Sequence, residues 1–437
     1  MPHVAFVTLS GFRVKEDELR CLGMSLPGFR GRANALAELP ALGLLTLAGM
    51  LPEHWTCSYR APLSLSEELL EGLVSERPDL VAVSALTASI LEAYELCAQL
   101  RTRGIQTVLG GLHVTALPEE AATYANSVVV GSGEPVWRQL LDDVENGELA
   151  AIYRAPRILM DEPWPLPRFD LVPRCARFTI QTQRGCPFAC DFCAASRLLE
   201  QFREKPVENI RTELKAIRGL NAVPLLELAD DNTFAGRRDA LELLEVLKNS
   251  GVRWFTESDW RIGKRTEIVD RLAASGCVQV LMGIESMVFR YPGMGDKAAE
   301  LQEMLEATQA LQEAGVCVNG CFIVGAEGET RESMERLTQF LLESPFAELQ
   351  VTLQTPFPGT ALHRRLKSQN RLLPQRDWSY YTLFDVTYQP DQLKVTELEA
   401  GFKELLTHVF GASGAQRRRR IRHATWRNNQ RLQPHSG

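Results

Sequence analysis

The sequence predicts an α/β protein of two units, each on its own parallel sheet. Three observations carry that prediction. Short, β-rich apolar runs alternate with amphipathic helical patterns over most of the 437 residues. Several of the runs end in glycine or serine. A proline-rich stretch without a clear period, 148–175, divides the series in two. The composition agrees: 45% hydrophobic and 24% charged residues are those of an ordinary globular chain, long enough for two or three domains. A net charge of −7 argues against bulk nucleic-acid binding. No acidic residue follows Glu404, however, and Arg417 to Arg420, Arg422, Arg427 and Arg431 make the C-terminal end basic. The N-terminus "MPHVAFVTLSGF" has no basic region followed by a long apolar one, and "ALAELPALGLLTLAGML" carries Glu38 and Pro40. A cytoplasmic protein is expected, its ten cysteines reduced and free for metal.

The first unit, 1–147, opens with "HVAFVTL" (3–9), which stops at Ser10-Gly11. "DLVAVSAL" (79–86) follows the helical "SLSEELLEGLVSE", and "IQTVLGG" (105–111) follows "SILEAYELCAQLRTRG". "SVVVGSGE" (127–134) completes the series. Runs this apolar suit strands buried on both faces of a parallel sheet. Their carboxyl ends hold Ser10, Ser84, Gly110, Gly111, Gly131 and Gly133, and that edge is where open α/β sheets bind ligands. Glycine there lets backbone approach a ligand, although each one alone also suits a tight turn.

The stretch 148–175 reads as a linker, with Trp164 and Phe169 packing against something. The second unit, 176–370, runs through "RFTIQTQ", "LLELAD", "RWFTES", "VQVLMGIES", "VNGCFIVG" and "LQVTLQTPF", with helical patterns between them. Six strands and five helices predict a partial (β/α)6 barrel with its chemistry at the carboxyl strand ends. Residues 371–437 form a small, mostly helical appendage with the basic tail.

"RGCPFACDFC" sets Cys186, Cys190 and Cys193 in a CxxxCxxC spacing just after the first barrel strand. A structural zinc needs four ligands as a rule; Cys175, Cys277, Cys317 and Cys321 are single candidates for the fourth, and none shows the paired spacing of a zinc ribbon. An iron–sulfur cluster suits three thiolates better, leaving one iron to a small-molecule chelator. The triplet, with aromatic Phe192 before its last cysteine, resembles the cluster motif of the radical S-adenosylmethionine superfamily. That resemblance implies a [4Fe–4S] cluster on the three cysteines and S-adenosylmethionine on the open iron. Reductive cleavage then gives a 5′-deoxyadenosyl radical, which abstracts a hydrogen atom. It also implies cofactor contacts along the later strand ends: Asp230, Asp231 and Asn232 in "LADDNTF" for the amino group, Glu257 and Ser258 in "FTESDWRIG" for the ribose, and Arg261 for the carboxylate. Glu285 in "LMGIES" and the segment "GCFIVGAEGET" resemble the strand ends around the nucleoside. A helix cap or surface turn explains any single one of these acids equally well.

"PDLVAVSALT", "GGLHVTALPEEA" and "VVVGSGE" resemble the cobalamin-binding domain fused to one class of these enzymes. The resemblance implies a Rossmann- or flavodoxin-like domain that holds cobalamin through Ser10, Ser84, Thr87, Gly110, Gly111, His113, Gly131, Gly133 and Glu134. The DxHxxG motif that supplies a cobalt-binding histidine is missing before the linker, and His113 reads as a loop hydrogen-bonding residue rather than a ligand. "TPFPGTALHRRL" and "DWSYYTLFDVTYQP" resemble the tail of hopanoid-methylase-type enzymes, with Trp378, Tyr380, Tyr381 and Phe384 lining a pocket or simply packing.

The resemblance implies methyl transfer to an unactivated carbon of a small-molecule, lipid or natural-product substrate. One S-adenosylmethionine makes the radical and a second remethylates the cobalt. An electron donor such as flavodoxin or ferredoxin is implied too. The rival expectations are cyclisation, rearrangement or oxidation on the same architecture, and a non-catalytic cobalamin- or metal-binding regulator. The terminal arginines read as a solvated helix end or tail, with peripheral contact to anionic lipid as an alternative.

Overall fold

The first six-stranded sheet is parallel throughout, in the order β2-β1-β3-β4-β5-β6. Its strands are β1 (His3–Thr8), β2 (Thr56–Arg60), β3 (Leu80–Ser84), β4 (Gln106–Gly110), β5 (Ser127–Val130) and β6 (Ile152–Arg154). The computed structural model describes residues 1–9, 13–25, 39–156, 163–172, 177–198, 202–298 and 300–432. The strands are nearly continuous apolar runs because both faces are covered. Leu70, Leu73, Tyr94, Leu96 and Leu100 pack on one side; Leu44, Trp137, Leu140 and Leu141 pack on the other. The edge strand β2 has a mixed, half-buried pattern that the apolar reading passed over. β6 comes from residues the sequence assigned to the linker; it pairs with β5, Val129 opposite Tyr153. The order reverses between β1 and β3, so a crevice opens at their carboxyl ends.

The second sheet winds in one direction, β14-β13-β12-β11-β10-β7, and all its pairs are parallel. Its strands are β7 (Arg177–Ile180), β10 (Leu225–Leu228), β11 (Arg253–Ser258), β12 (Cys277–Glu285), β13 (Cys317–Val324) and β14 (Glu348–Leu353). Phe178, Leu226, Trp254, Val280 and Val318 sit under the outer helices. Period-2 alternation turns Glu227, Phe255, Glu257 and Leu281 to the other, concave face. Between β7 and β10 an antiparallel pair, β8 (Gln183–Arg184) with β9 (Arg203–Glu204), carries the cysteine loop.

The C-terminal segment is helical, Val395–Phe410 and then Ala412–Leu432. The basic stretch is no loose tail. Arg417 donates to Glu343 O at 2.6 Å, Arg422 donates to Ala347 O at 3.2 Å, and buried Arg418 donates to Val409 O at 2.5 Å. Arg419, Arg420 and Arg427 stay exposed. Gly315, Ala347 and Glu348, which meet this helix, lie at the amino ends of β13 and β14, so it closes the floor of the barrel. Among the described residues no helix is long and apolar enough to cross a membrane.

Candidate functional site

The three cysteines share one loop at the carboxyl end of the barrel sheet. Gly185, at φ +71, turns the chain out of β8 into Cys186. The segment 291–294 clasps the loop, with Ala189 N–H donating to Gly293 O at 3.0 Å and Asp191 N–H to Pro292 O at 3.0 Å. Gly293 is obligatory: at φ +82, an added Cβ would lie 2.0 Å from Ala189 O. Phe192 packs edge-on against Tyr291 at 4.6 Å, and Tyr291 donates to Gln354 at 3.0 Å. Buried Asp191 pairs with Arg365 of the helix Ala361–Ser368, and its carbonyl accepts from Leu362 at 3.0 Å. The loop is thus pinned from both sides.

Burial pushes the Cys186 thiol up to about 11, and Lys297 pulls the other way. Burial also raises Cys190, with Lys297 again opposing. Lys297 is the residue sequence reasoning missed. It comes from "YPGMGDKAA", which has no period to mark it, and its Nζ stands 3.6 Å from Glu285 and 6.0 Å from the Phe188 ring. Burial opposes its charge, but Glu285 and the cysteines outweigh that and hold its pKa above the ordinary value. Glu285 sits at φ +67 where β12 leaves register with β13.

Among the described residues no three His, Cys, Asp or Glu side chains converge as a single metal ion requires. A cluster's thiolates bind separate irons and need no common point, so this donor set fits a cluster better than an ion. Cys277 and Cys317 lie at the amino ends of their strands, away from the loop, and Cys321 lies within β13, so none completes a zinc site; Cys175 lies outside the described residues.

The strand-end acids divide into two groups. Asp230 is fully committed to the protein. It accepts from Thr182 N–H at 2.7 Å, Thr182 Oγ1 at 2.6 Å, Gln183 N–H at 3.0 Å and Thr233 Oγ1 at 2.9 Å, bracing β7 to β10. Asn232 donates to Asp259 at 2.8 Å and accepts from Ser258 Oγ at 3.4 Å. Burial would raise Asp259, but Arg261 and Asn232 outweigh it and hold the carboxyl below its usual range. Arg261 pairs with that carboxylate at 2.8 Å and lies over Phe188 at 4.9 Å. Asp259, one residue beyond the acid-rich "FTES", is therefore the anion that orients this edge. The partly exposed pair is Asp231 and Glu257. Burial, with Asp230 adding repulsion, raises Asp231 to about 6. Glu257 is exposed on the concave face.

On the first sheet, Gly111 at φ +114 would place a Cβ 3.4 Å from both Ala85 O and Ser84 Oγ. Gly131, at φ +90, donates its N–H to Thr115 Oγ1 at 3.0 Å, and Gly133 lets Leu47 approach. Leu86, two residues past Ser84 on the same strand-end turn, is 71% exposed. The edge fits a broad, mostly neutral ligand that contacts backbone. Ser10 lies outside the described residues.

His113 is buried, 3.3 Å from Thr87 Oγ1, with burial lowering its pKa. Its ring meets Trp378 edge-on at 5.0 Å, and Glu120 accepts from Trp378 Nε1 at 2.9 Å and from Tyr94 OH at 3.0 Å. The loop histidine is thus an anchor for the C-terminal segment. Glu134, directly after Gly133, pairs with Arg184 at 2.6 Å. Segments that follow the two carboxyl edges pack together around Gly359: an added Cβ there would lie 2.7 Å from Leu198 Cδ2 and 3.1 Å from Ala116 Cβ. Ala116 ends the helix after β4, and Leu198 ends the helix after the cysteine loop.

Two family models fall on these two units. The B12 binding domain matches residues 31–141, and the radical SAM superfamily matches 180–341. The chain belongs to the radical S-adenosylmethionine superfamily, in the class that carries a B12-binding domain. Among curated relatives it is 25% identical to the bacteriochlorophyllide d C-12(1)-methyltransferase of Chlorobaculum tepidum, covering 80% of this chain and 78% of that one. It is 26% identical to the hopanoid C-2 methylase of Rhodopseudomonas palustris, over 77% and 66%. It is also 26% identical to the anaerobic magnesium-protoporphyrin IX monomethyl ester cyclase of Cereibacter sphaeroides, over 82% and 64%. The radical S-adenosylmethionine methyltransferase TsrM of Kitasatospora setae has the same fold, with TM-score 0.64, 15% identity, and coverage of 100% of this chain and 90% of that one. The chain is a cobalamin-dependent radical S-adenosylmethionine enzyme.

Proposed function

We propose that this enzyme transfers a methyl group to an unactivated carbon of a small-molecule or lipid substrate. The packing around Gly359 of segments that follow the two carboxyl edges supports the reading most, because methyl transfer needs both cofactors beside one substrate. When bound, the cluster with S-adenosylmethionine supplies a hydrogen-abstracting radical, and the cobalamin supplies the methyl group. Cys186, Cys190 and Cys193 hold the cluster, and Lys297 offsets the negative charge of their thiolates. Asp231 and Glu257 face the S-adenosylmethionine amino and ribose groups, while Asp259 fixes Arg261 for the carboxylate. The glycine edge of the first sheet bears the corrin. The concave face, with Glu227, Phe255, Glu257 and Leu281, borders the substrate. Reducing equivalents come from a small donor of the flavodoxin or ferredoxin kind.

The test is anaerobic reconstitution with iron, sulfide and cobalamin, followed by turnover with methyl-deuterated S-adenosylmethionine on candidate lipid and tetrapyrrole substrates. The label is expected in a product in which one trideuteromethyl group has replaced a hydrogen. Uptake of iron and sulfide without cobalamin would sink the methyl-transfer reading. The cyclase relative supports a second reading, ring closure or oxidation on the same architecture. That reading predicts an unlabelled product from the same assay.

A further inference from the structure

One ion pair between the two units lies at the base of the cysteine loop. Glu134 opens the helix Glu134–Asn146 of the first unit, and Arg184 Nη2 donates to its carboxylate at 2.6 Å; the side chains are only 14% and 13% exposed. Arg184 lies two residues before Cys186, with only Gly185 between them. Its guanidinium stands 5.0 Å above the ring of Trp164, which comes from the connecting segment. Arg203, directly across the strand pair, covers the same ring at 3.9 Å, and Lys205 Nζ stands 5.0 Å from it. Trp164, Arg203 and Lys205 are all buried, and Lys205 is held by Glu213 at 2.6 Å.

Three cations thus surround one indole, and the first unit contributes a carboxylate to them. Removing one partner of a buried pair leaves an uncompensated charge, which costs far more than the intact pair is worth. Without Glu134, Arg184 would lose this carboxylate while still facing Arg203 and Lys205. The cheapest escape is movement of the strand pair, and the cysteine loop would move with it.

We propose that Glu134 is a positioning residue: through Arg184, it fixes the base of the cysteine loop on the cobalamin-binding domain, so that the two cofactor sites keep one relation. The carboxylate that the resemblance sets beside the corrin thus pairs with the arginine two residues before Cys186. The proposal needs both cofactors loaded but does not depend on which bond the enzyme forms.

The test uses the anaerobically reconstituted holoenzyme as wild type, Glu134→Gln, Arg184→Gln and the double variant. Hydrogen exchange of the peptide spanning 182–194 is expected to accelerate about tenfold in each single variant, with cobalamin and iron contents unchanged. Because the two residues act through each other, the double variant should exchange no faster than either single one. Pulsed dipolar spectroscopy between the reduced cluster and cob(II)alamin should show a broadened distance distribution in Glu134→Gln. Wild-type exchange in the single variants would overturn the proposal. So would loss of cobalamin from Glu134→Gln with the cysteine loop still protected, which would return Glu134 to the corrin. If Glu134→Gln does not fold, Arg184→Lys carries the test, since it keeps the charge but loses the fork and the flat stacking on Trp164. Faster exchange there supports the clamp, and unchanged exchange refutes it.

Discussion

The two sheets have six parallel strands each, yet they present unlike edges to their ligands. The first reverses its winding between β1 and β3 and offers glycine backbone, hydroxyls and the exposed Leu86. Its ionisable neighbours, His113, Glu120 and Glu134, are turned to contacts with the rest of the chain. The second winds one way and crowds Asp230, Asp231, Asp259, Arg261, Glu285 and Lys297 around its mouth. A large ligand bound mainly through shape needs the first kind of edge. A charged amino acid cofactor beside an anionic cluster needs the second. Charge is placed where the ligand is charged and is taken up by structure elsewhere.

The sharpest break in this comparison is Cys190→Ala. It should bring iron content and 5′-deoxyadenosine formation to background while cobalamin uptake persists; radical formation at the wild-type rate would refute the cluster assignment. Lys297→Gln comes next. Removing a cation beside the thiolates disfavours the added electron, so the cluster potential should fall by roughly 50–100 mV at an effective dielectric of about 20. The bound cobalamin spectrum should stay as it was, and a potential that rises or stays fixed contradicts the role given to Lys297.

Asp231→Asn separates binding from stability. The folded-state pKa of Asp231 is raised to about 6, so its ionisation weakens the fold as pH climbs through that value. The apo variant should therefore be more stable by about 1–2 kcal/mol at pH 7.5, partial exposure having been allowed for, and the gain should vanish below about pH 4. Weaker S-adenosylmethionine binding should accompany it, by equilibrium dialysis of the cluster-loaded protein. A variant no more stable at pH 7.5 than the wild type would show the charge to be harmless. The smallest effect belongs to the anchor. Trp378→Phe keeps the ring against His113 but loses the bond to Glu120, and thermal melts should register about 1 kcal/mol.

The alternation of strands and helices, the triplet and the glycine edge could all be read in the sequence because each is a local pattern. β2 and β6 escaped because edge strands carry mixed burial and little apolar signal. Within the site, residue type alone does not show which partners a side chain takes up. Asp230 and Asn232 of "LADDNTF" hydrogen-bond with Thr182, Thr233 and Asp259, which the segment alone does not reveal. Lys297 and Arg365 do not look like site residues, yet each reaches the cysteine loop from a segment well beyond its strand. His113 differs: its loop signature suggests hydrogen bonding over ligation, and in the fold it lies 3.3 Å from Thr87 Oγ1 with its ring edge-on to Trp378.

The helix Ala412–Leu432 under the barrel has a consequence for biosynthesis. The first sheet has all its strands once residue 154 has been made, whereas the barrel floor stays open until residues near 432 arrive. At about 5–20 residues/s, the stretch from the end of β14 at Leu353 to Leu432 takes roughly 4–16 s. Through it the amino ends of β13 and β14 lack their cover, so the nascent enzyme is most exposed to aggregation just before synthesis reaches this helix.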